Sequence, residues 1–335
     1  MIKKIIWLIK IGLKNLKIKF YSFANKNISD PYRLLIKVNS KCNYSCVTCG
    51  LGGQDSVSFI SKKNQEKIID KYSNKLFFLS LTGGEPFLEE EKLRNFVIRI
   101  KEENPNLKYI SINTNGSLPE KIDKFTKNLL NKFEDINLYI GLHYIPNQKW
   151  GKNKTGIENA YSNYKKSEKI CSQIKNRFKN RFSFYKMMTI SRKEDINFIK
   201  SENNLWINFA VIAEFYKNEK NKYIQKLNKE EKIKIINKFL AINKDNLSFL
   251  NKKFTLNLKK IIKSGKRKRE CFAGVNRVYI NEKGDEFICT RNLKSRKDMS
   301  KVKCGSCWTA CEINFDFLPY FFLPPIINGQ KKNLN

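Results

Sequence analysis

Apolar and polar residues along this chain follow two rhythms. Six short runs rich in β-branched and aromatic residues predict strands: RLLIKV (33–38), KLFFLSL (75–81), LKYISI (107–112), INLYIGL (136–142), RFSFYKMMTI (181–190) and LWINFAVIA (205–213). Between them, NQEKIIDKY (64–72), EEEKLRNFVIRIKEE (89–103) and PEKIDKFTKNLLNKF (119–133) repeat apolar residues at three- and four-residue spacing and predict helices. Strands alternating with helices argue for βαβ units and a parallel sheet. Six such units fit an open, partial barrel better than a closed eightfold one.

Polar or glycine-rich segments follow the first four strands in turn: SKCNYSCVTCG with Cys42, Cys46 and Cys49; Gly83-Gly84-Glu85-Pro86; Asn113-Thr114-Asn115-Gly116; and His143-Tyr144. A β/α barrel builds its active site from the loops at the carboxyl ends of its strands, so these segments are expected to meet on one face. Three thiolates at the C-x3-C-x2-C spacing can hold three irons of a four-iron cluster and leave the fourth open to a small molecule. Zinc also takes thiolates, and free cysteines pack as small hydrophobes. Neither alternative accounts for the downstream segments. Gly83 and Gly84 let backbone approach a ligand closely. Glu85 offers a carboxylate for a charge-assisted hydrogen bond, whereas Asn-Gly is also an ordinary turn dipeptide.

With these residues the chain resembles the radical SAM enzymes from about Pro31 to Cys311. The resemblance implies a partial (β/α)6 TIM-like barrel, a [4Fe-4S] cluster on Cys42, Cys46 and Cys49, and S-adenosylmethionine on the open iron. It implies that an electron from the cluster cleaves that cofactor to a 5′-deoxyadenosyl radical. Gly83, Gly84, Glu85 and Pro86 are then expected around the methionine amino group, with Tyr44, Thr48, Asn113 and Asn115 as further cofactor contacts. Two departures stand out. Thr48 replaces a customary aromatic residue before the third cysteine. Gly141, Leu142, His143 and Tyr144 stand where a Ser-x-Asp-Gly-like run is usual. His143, the chain's single histidine, is therefore a candidate catalytic residue, able to bind the cofactor or relay a proton near neutral pH.

A second group, Cys271, Cys289, Cys304, Cys307 and Cys311, lies near the C-terminus, with RVYI and EFIC reading as a hairpin turned at Asn281 to Asp285. The Gly284-x4-Cys289 spacing and the upstream Cys271 resemble the SPASM/Twitch extension of radical SAM enzymes, a small cysteine-rich α+β unit. The resemblance implies one auxiliary [4Fe-4S] cluster on four of the five thiols; a zinc ribbon is the alternative. Cys171 reads as core packing. Thiolate clusters need a reducing compartment, and no signal peptide is expected, so the expected location is the cytoplasm.

The formal net charge is +35. The basic residues are spread along the chain, and Lys, Asn and Ile all have A/T-rich codons, so nucleic acid is not expected as a partner. KSGKRKR (263–269) is the one concentrated basic run. Residues 1–20 place Ile2, Ile5, Ile6, Ile9, Leu13, Leu16 and Phe20 at helical spacing among six lysines. Such a helix can cap the barrel or lie peripherally on the inner face of a membrane. The expected organisation is a basic helix (1–29), a barrel core (30–216), a helical linker (217–265), a cysteine-rich extension (266–315) and an apolar, proline-containing tail (316–335). The expected function is hydrogen abstraction from a peptide or small molecule, with a flavodoxin or ferredoxin as electron donor. The alternative is a non-catalytic Fe–S or zinc protein binding nucleic acid or membrane through its basic surface.

Overall fold

Strands β1 (Arg33–Lys37), β2 (Phe78–Thr82), β3 (Tyr109–Thr114), β4 (Asn137–His143), β5 (Phe182–Ile190) and β6 (Leu205–Phe209) form a parallel sheet in the order β6-β5-β4-β3-β2-β1. The computed structural model describes residues 5–14, 31–49, 51, 56–210, 224–247, 249–265, 273–274, 276–290 and 292–295. Alternation sorts each strand onto two faces. Leu34, Ile36, Leu79, Leu81, Ile110, Ile112, Leu138, Ile140 and Leu142 are buried in the main core. That core is closed from outside by α2 (Lys62–Tyr72), α3 (Glu90–Glu102), α4 (Pro119–Lys132) and α6 (Ala160–Phe178). Each supplies apolar side chains at helical spacing, such as Leu93, Phe96, Val97 and Ile100 on α3. Cys171 on α6 is fully buried there, as expected. The sheet stays open, in agreement with the partial barrel expected.

Some boundaries differ from the sequence reading. β2 begins at Phe78 because the amides of Lys75 and Leu76 donate to Asn104 Oδ1, at 3.0 and 2.9 Å, instead of to a neighbouring strand. β3 extends to Thr114 because its ladder with β4 continues through Asn113↔Gly141 and Thr114↔Leu142. Asn113 and Thr114 are thus strand residues, not loop residues.

A helix at residues 5–14, α1, lies at the N-terminal ends of the strands. The Trp7 ring packs 5.8, 5.6 and 5.1 Å from Phe77, Phe78 and Tyr109, and its Nε1 donates to the Asn106 carbonyl at 2.8 Å. Phe78, Tyr109 and Tyr139 stack in turn across the inner face of the sheet. Aromatic side chains fill this end because each removes a large apolar area from water at low conformational cost.

Two helices, α7 (Lys229–Ile242) and α8 (Phe249–Ser264), fall in the segment read as a helical linker. Phe254 on α8 lies 4.8 Å from the Trp206 ring of β6. The chain then returns to the other edge. β7 (Arg277–Ile280) pairs parallel to β1, and β8 (Glu286–Cys289) and β9 (Asn292–Ser295) follow antiparallel, so nine strands form one sheet. The β7–β8 turn carries Gly284 at φ +85°, and the Asn281 side chain accepts the amides of Lys283 and Asp285. That is the turn chemistry the hairpin reading required.

Candidate functional site

The backbone leaving β1 is held on two sides. Val38 N donates to the Thr82 carbonyl at 2.8 Å, and Ser40 and Lys41 donate to the Val57 carbonyl. Gly84 N and Glu85 N donate to the carbonyls of Asn39 and Lys41 at 3.0 and 2.9 Å. The glycines serve this close approach. A Cβ on Gly83 would lie 2.0 Å from Asn39 Oδ1, and one on Gly84 would lie 2.2 Å from the Lys41 carbonyl oxygen. Both therefore fit the cysteine loop against β2 before any ligand is considered. Gly84→Ala is expected to push Lys41, and Cys42 with it, out of place. The expected cost is about 1–3 kcal/mol of stability together with reduced iron uptake, checked by thermal unfolding and iron analysis of the reconstituted protein.

Glu85 is fully buried. Its carboxylate accepts from Thr114 Oγ1 at 2.8 and 2.9 Å, from Asn115 N at 2.7 Å and from Phe87 N at 3.0 Å. The last bond caps the short helix that Pro86 opens (Pro86–Glu89). Burial pushes the Glu85 carboxyl up to about 7, against the pull of the Asn115, Phe87 and Thr114 donors. The side chain thus ties the end of β2 to the end of β3.

From β3 the connection runs on to the cysteines. Asn115 Nδ2 donates to Cys42 Sγ at 3.7 Å and to Asn43 Oδ1 at 3.0 Å, and Asn43 Nδ2 donates to Ser117 Oγ at 2.9 Å. Tyr44 N donates to Cys42 Sγ at 3.4 Å, while the Tyr44 ring is buried in the core. Cys49 N donates to the Cys46 carbonyl at 2.9 Å, which closes a turn around Val47 and Thr48. On its other side the loop caps α5 (Gln148–Thr155): Ser45 N and Val47 N donate to the Thr155 and Lys154 carbonyls, both at 2.9 Å. Those carbonyls would otherwise be unsatisfied at a helix end.

The three cysteines are partly buried. Burial pushes Cys42 up to about 11, and the charges of Glu85 and Cys49 add to the rise. Burial, followed by the other two thiols, raises Cys46 as well. Burial raises Cys49, with Lys37 pulling the other way. Lys37, at the end of β1, is buried in an ion pair with Glu282 of the β7–β8 turn at 3.2 Å. Among the described residues no group of three or more His, Cys, Asp or Glu side chains is gathered around a single point that could hold a metal ion.

His143 ends β4, one residue beyond Leu142, the partner of Thr114 in β3, and opposite Met187 of β5. Its ring lies 5.9 Å from that of Trp150, tilted by 32°, and its Nε2 is buried without a hydrogen-bond partner. Burial, with the nearby Lys154 charge, lowers its pKa to about 4. The lowered pKa favours the neutral imidazole at pH 7. Lys154 itself pairs with Asp195 at 2.9 Å.

The structure thus brings Cys42, Gly84, Glu85 and Asn115 into one hydrogen-bonded set, with Gly83 against Asn39 and His143 at the neighbouring strand end. Asn113 stands slightly apart, where its Oδ1 accepts from Tyr185 OH at 2.7 Å. That bond passes over Gly141, where a Cβ would lie 2.3 Å from Asn113 Oδ1 and 2.7 Å from the Tyr185 ring. Asn39, Asn43, Ser117 and Tyr185 were not singled out by sequence reasoning. Asn39 and Asn43 flank Cys42 in sequence, and polar residues so placed are the one signal that pointed to them. Cys289 closes β8, which runs antiparallel to β7, so it lies at the sheet end opposite the Cys42 loop. Cys271, Cys304, Cys307 and Cys311 lie outside the described residues.

Residues 36–197 match the family model described as Radical SAM superfamily. Among curated proteins none matches this chain. Solved structures that share the fold include the following two. SuiB of Streptococcus suis, bound to precursor peptide SuiA, is 17% identical with a TM-score of 0.51; the match covers 82% of this chain and 62% of SuiB. This chain therefore spans less than two thirds of that protein. Native anSMEcpe with bound AdoMet and Cp18Cys peptide is 19% identical with a TM-score of 0.53, covering 81% of this chain and 79% of the other.

Proposed function

We propose that this chain is a radical SAM enzyme that abstracts hydrogen from a peptide substrate and carries an auxiliary cluster in a SPASM/Twitch-like extension. The observation that carries the reading is the continuous connection from Cys42 through Asn115 to Glu85 and Gly84, inside the segment that matches the superfamily. The donor set fits the group: three soft thiols on one loop, with an amide N–H aimed at the sulfur of the first. When bound, the cluster would supply the electron that cleaves S-adenosylmethionine to a 5′-deoxyadenosyl radical.

The chain's own residues do the rest. Cys42, Cys46 and Cys49 would hold the cluster. Glu85, through Asn115, fixes the loop that carries Cys42. The unpartnered His143 Nε2 would bond a cofactor or substrate group entering at the end of β4. The peptide class is supported by the peptides bound to SuiB and anSMEcpe. A flavodoxin or ferredoxin is the proposed electron donor. Four of Cys271, Cys289, Cys304, Cys307 and Cys311 would hold the auxiliary cluster.

Anaerobic reconstitution tests this reading. The protein is expected to take up close to two four-iron clusters. With dithionite it is expected to release 5′-deoxyadenosine and methionine slowly from S-adenosylmethionine without substrate. Zinc at both sites after anaerobic purification, with no cleavage, would establish the non-catalytic alternative instead.

A further inference from the structure

The α1 helix has two apolar faces, and the fold uses only one. Trp7 and Ile11 are buried, 5% and 0% exposed, against Phe77, Phe78 and Tyr32. Ile5, Ile9 and Leu13 recur at four-residue spacing on the opposite side, with Ile6 beside them. These four are 48–60% exposed. Among the described residues they make up all but one of the large exposed hydrophobic side chains, the other being Leu256. Scattered exposed hydrophobics are ordinary, but a contiguous set on one helix face marks an interaction site.

Charge selects the partner. The first acidic residue of the chain is Asp30, and the first twenty residues carry six lysines. Lys10 and Lys14 lie on α1 itself; Lys10 bonds Asn106 Oδ1 at 3.3 Å, and the Lys14 ammonium sits 5.5 Å from the Phe77 ring centroid. A second copy of this chain would bring a net charge of +35 against +35, which opposes pairing through this face. An apolar stripe on a lysine-rich, acid-free segment suits anionic lipid, where apolar insertion and charge attraction act together.

We infer that the outer face of α1 seats the protein on an anionic membrane surface. Trp7 holds the helix at the N-terminal ends of β2 and β3. The cysteine loop lies at the carboxyl end of β1. A lipid surface touching α1 would therefore meet the end of the sheet opposite the cluster loop, and the candidate site would face water. Among the described residues no helix is long and apolar enough to cross a membrane.

The test is flotation of the full chain with phosphatidylcholine vesicles, with and without phosphatidylglycerol. The wild type is expected to float with the anionic vesicles alone and to release as salt is added. The variant Ile5→Ser/Ile6→Ser/Ile9→Ser/Leu13→Ser is expected to keep its circular dichroism spectrum and its iron content while losing about tenfold or more in vesicle partition. Leu256→Ser is expected to partition as the wild type does. Undiminished binding by the fourfold variant overturns the inference. So does absence of wild-type binding; if deleting residues 316–335 then restores it, the apolar tail is the occupant. A wild-type dimer that the fourfold variant converts to monomer also overturns it.

Discussion

Replacing Cys42, Cys46 and Cys49 together by Ala is expected to reduce 5′-deoxyadenosine formation to background and to remove about half the iron of the reconstituted protein. Each thiolate would hold its own iron, so an alanine leaves one corner of the cluster without a ligand. The loop's backbone bonds to Val57, Thr155 and Lys154 do not involve the sulfurs, so the barrel is expected to fold. Cys171→Ala is the control: that thiol is buried on α6 within the core, and its loss is expected to leave iron and cleavage unchanged. Iron analysis and product chromatography read both variants. Full cleavage in the triple variant would remove Cys42, Cys46 and Cys49 from the chemistry.

Glu85→Ala is expected to be the most destabilising single change at the site. It leaves Thr114 Oγ1, Asn115 N and Phe87 N without their acceptor, and each buried group left unpaired costs about 1–3 kcal/mol. A loss of roughly 3 kcal/mol or more, read by denaturant unfolding, is the expected result. The carboxyl also leaves a pH signature. Its native pKa of about 7 lies above the ordinary value of 4.5, so the native state binds the proton more tightly than the unfolded chain does. The stabilisation is fully present below pH 4.5 and is lost as the pH rises to about 7. The whole change amounts to roughly 3 kcal/mol. Glu85→Gln cannot ionise and is expected to flatten the profile across that window. A wild-type profile already flat there would show that the three donors offset burial completely.

The two variants separate different functions. The cysteine change removes ligands and leaves the fold. The glutamate change keeps every proposed ligand and loosens the joint that positions Cys42. Loss of iron in Glu85→Ala, regained in part by Glu85→Gln, would identify Glu85 as a positioning residue for the cluster loop.

Local chemistry is what the sequence by itself determined. Period-two and helical patterns place the six strands and the helices between them, because burial of one face is written residue by residue. The C-x3-C-x2-C loop, the Gly-Gly-Glu-Pro run and the end of β4 are legible as chemistry at strand ends. Tertiary structure alone decided which group meets which. Glu85, read as a partner for an ammonium, is buried against Thr114 and Asn115, about thirty residues away in sequence. Gly83 and Gly84, read as room for a ligand, also stand where a Cβ would meet Asn39 and Lys41. His143, read as able to bind the cofactor or relay a proton, is buried beside Trp150, and burial with the Lys154 charge lowers its pKa. The N-terminal helix, read as either a cap or a surface anchor, caps with one face and leaves the other exposed. Each outcome depends on a distance between segments remote in the chain. A pattern of residues records what each segment buries, but only the packed sheet sets which buried group stands within hydrogen-bond reach of another.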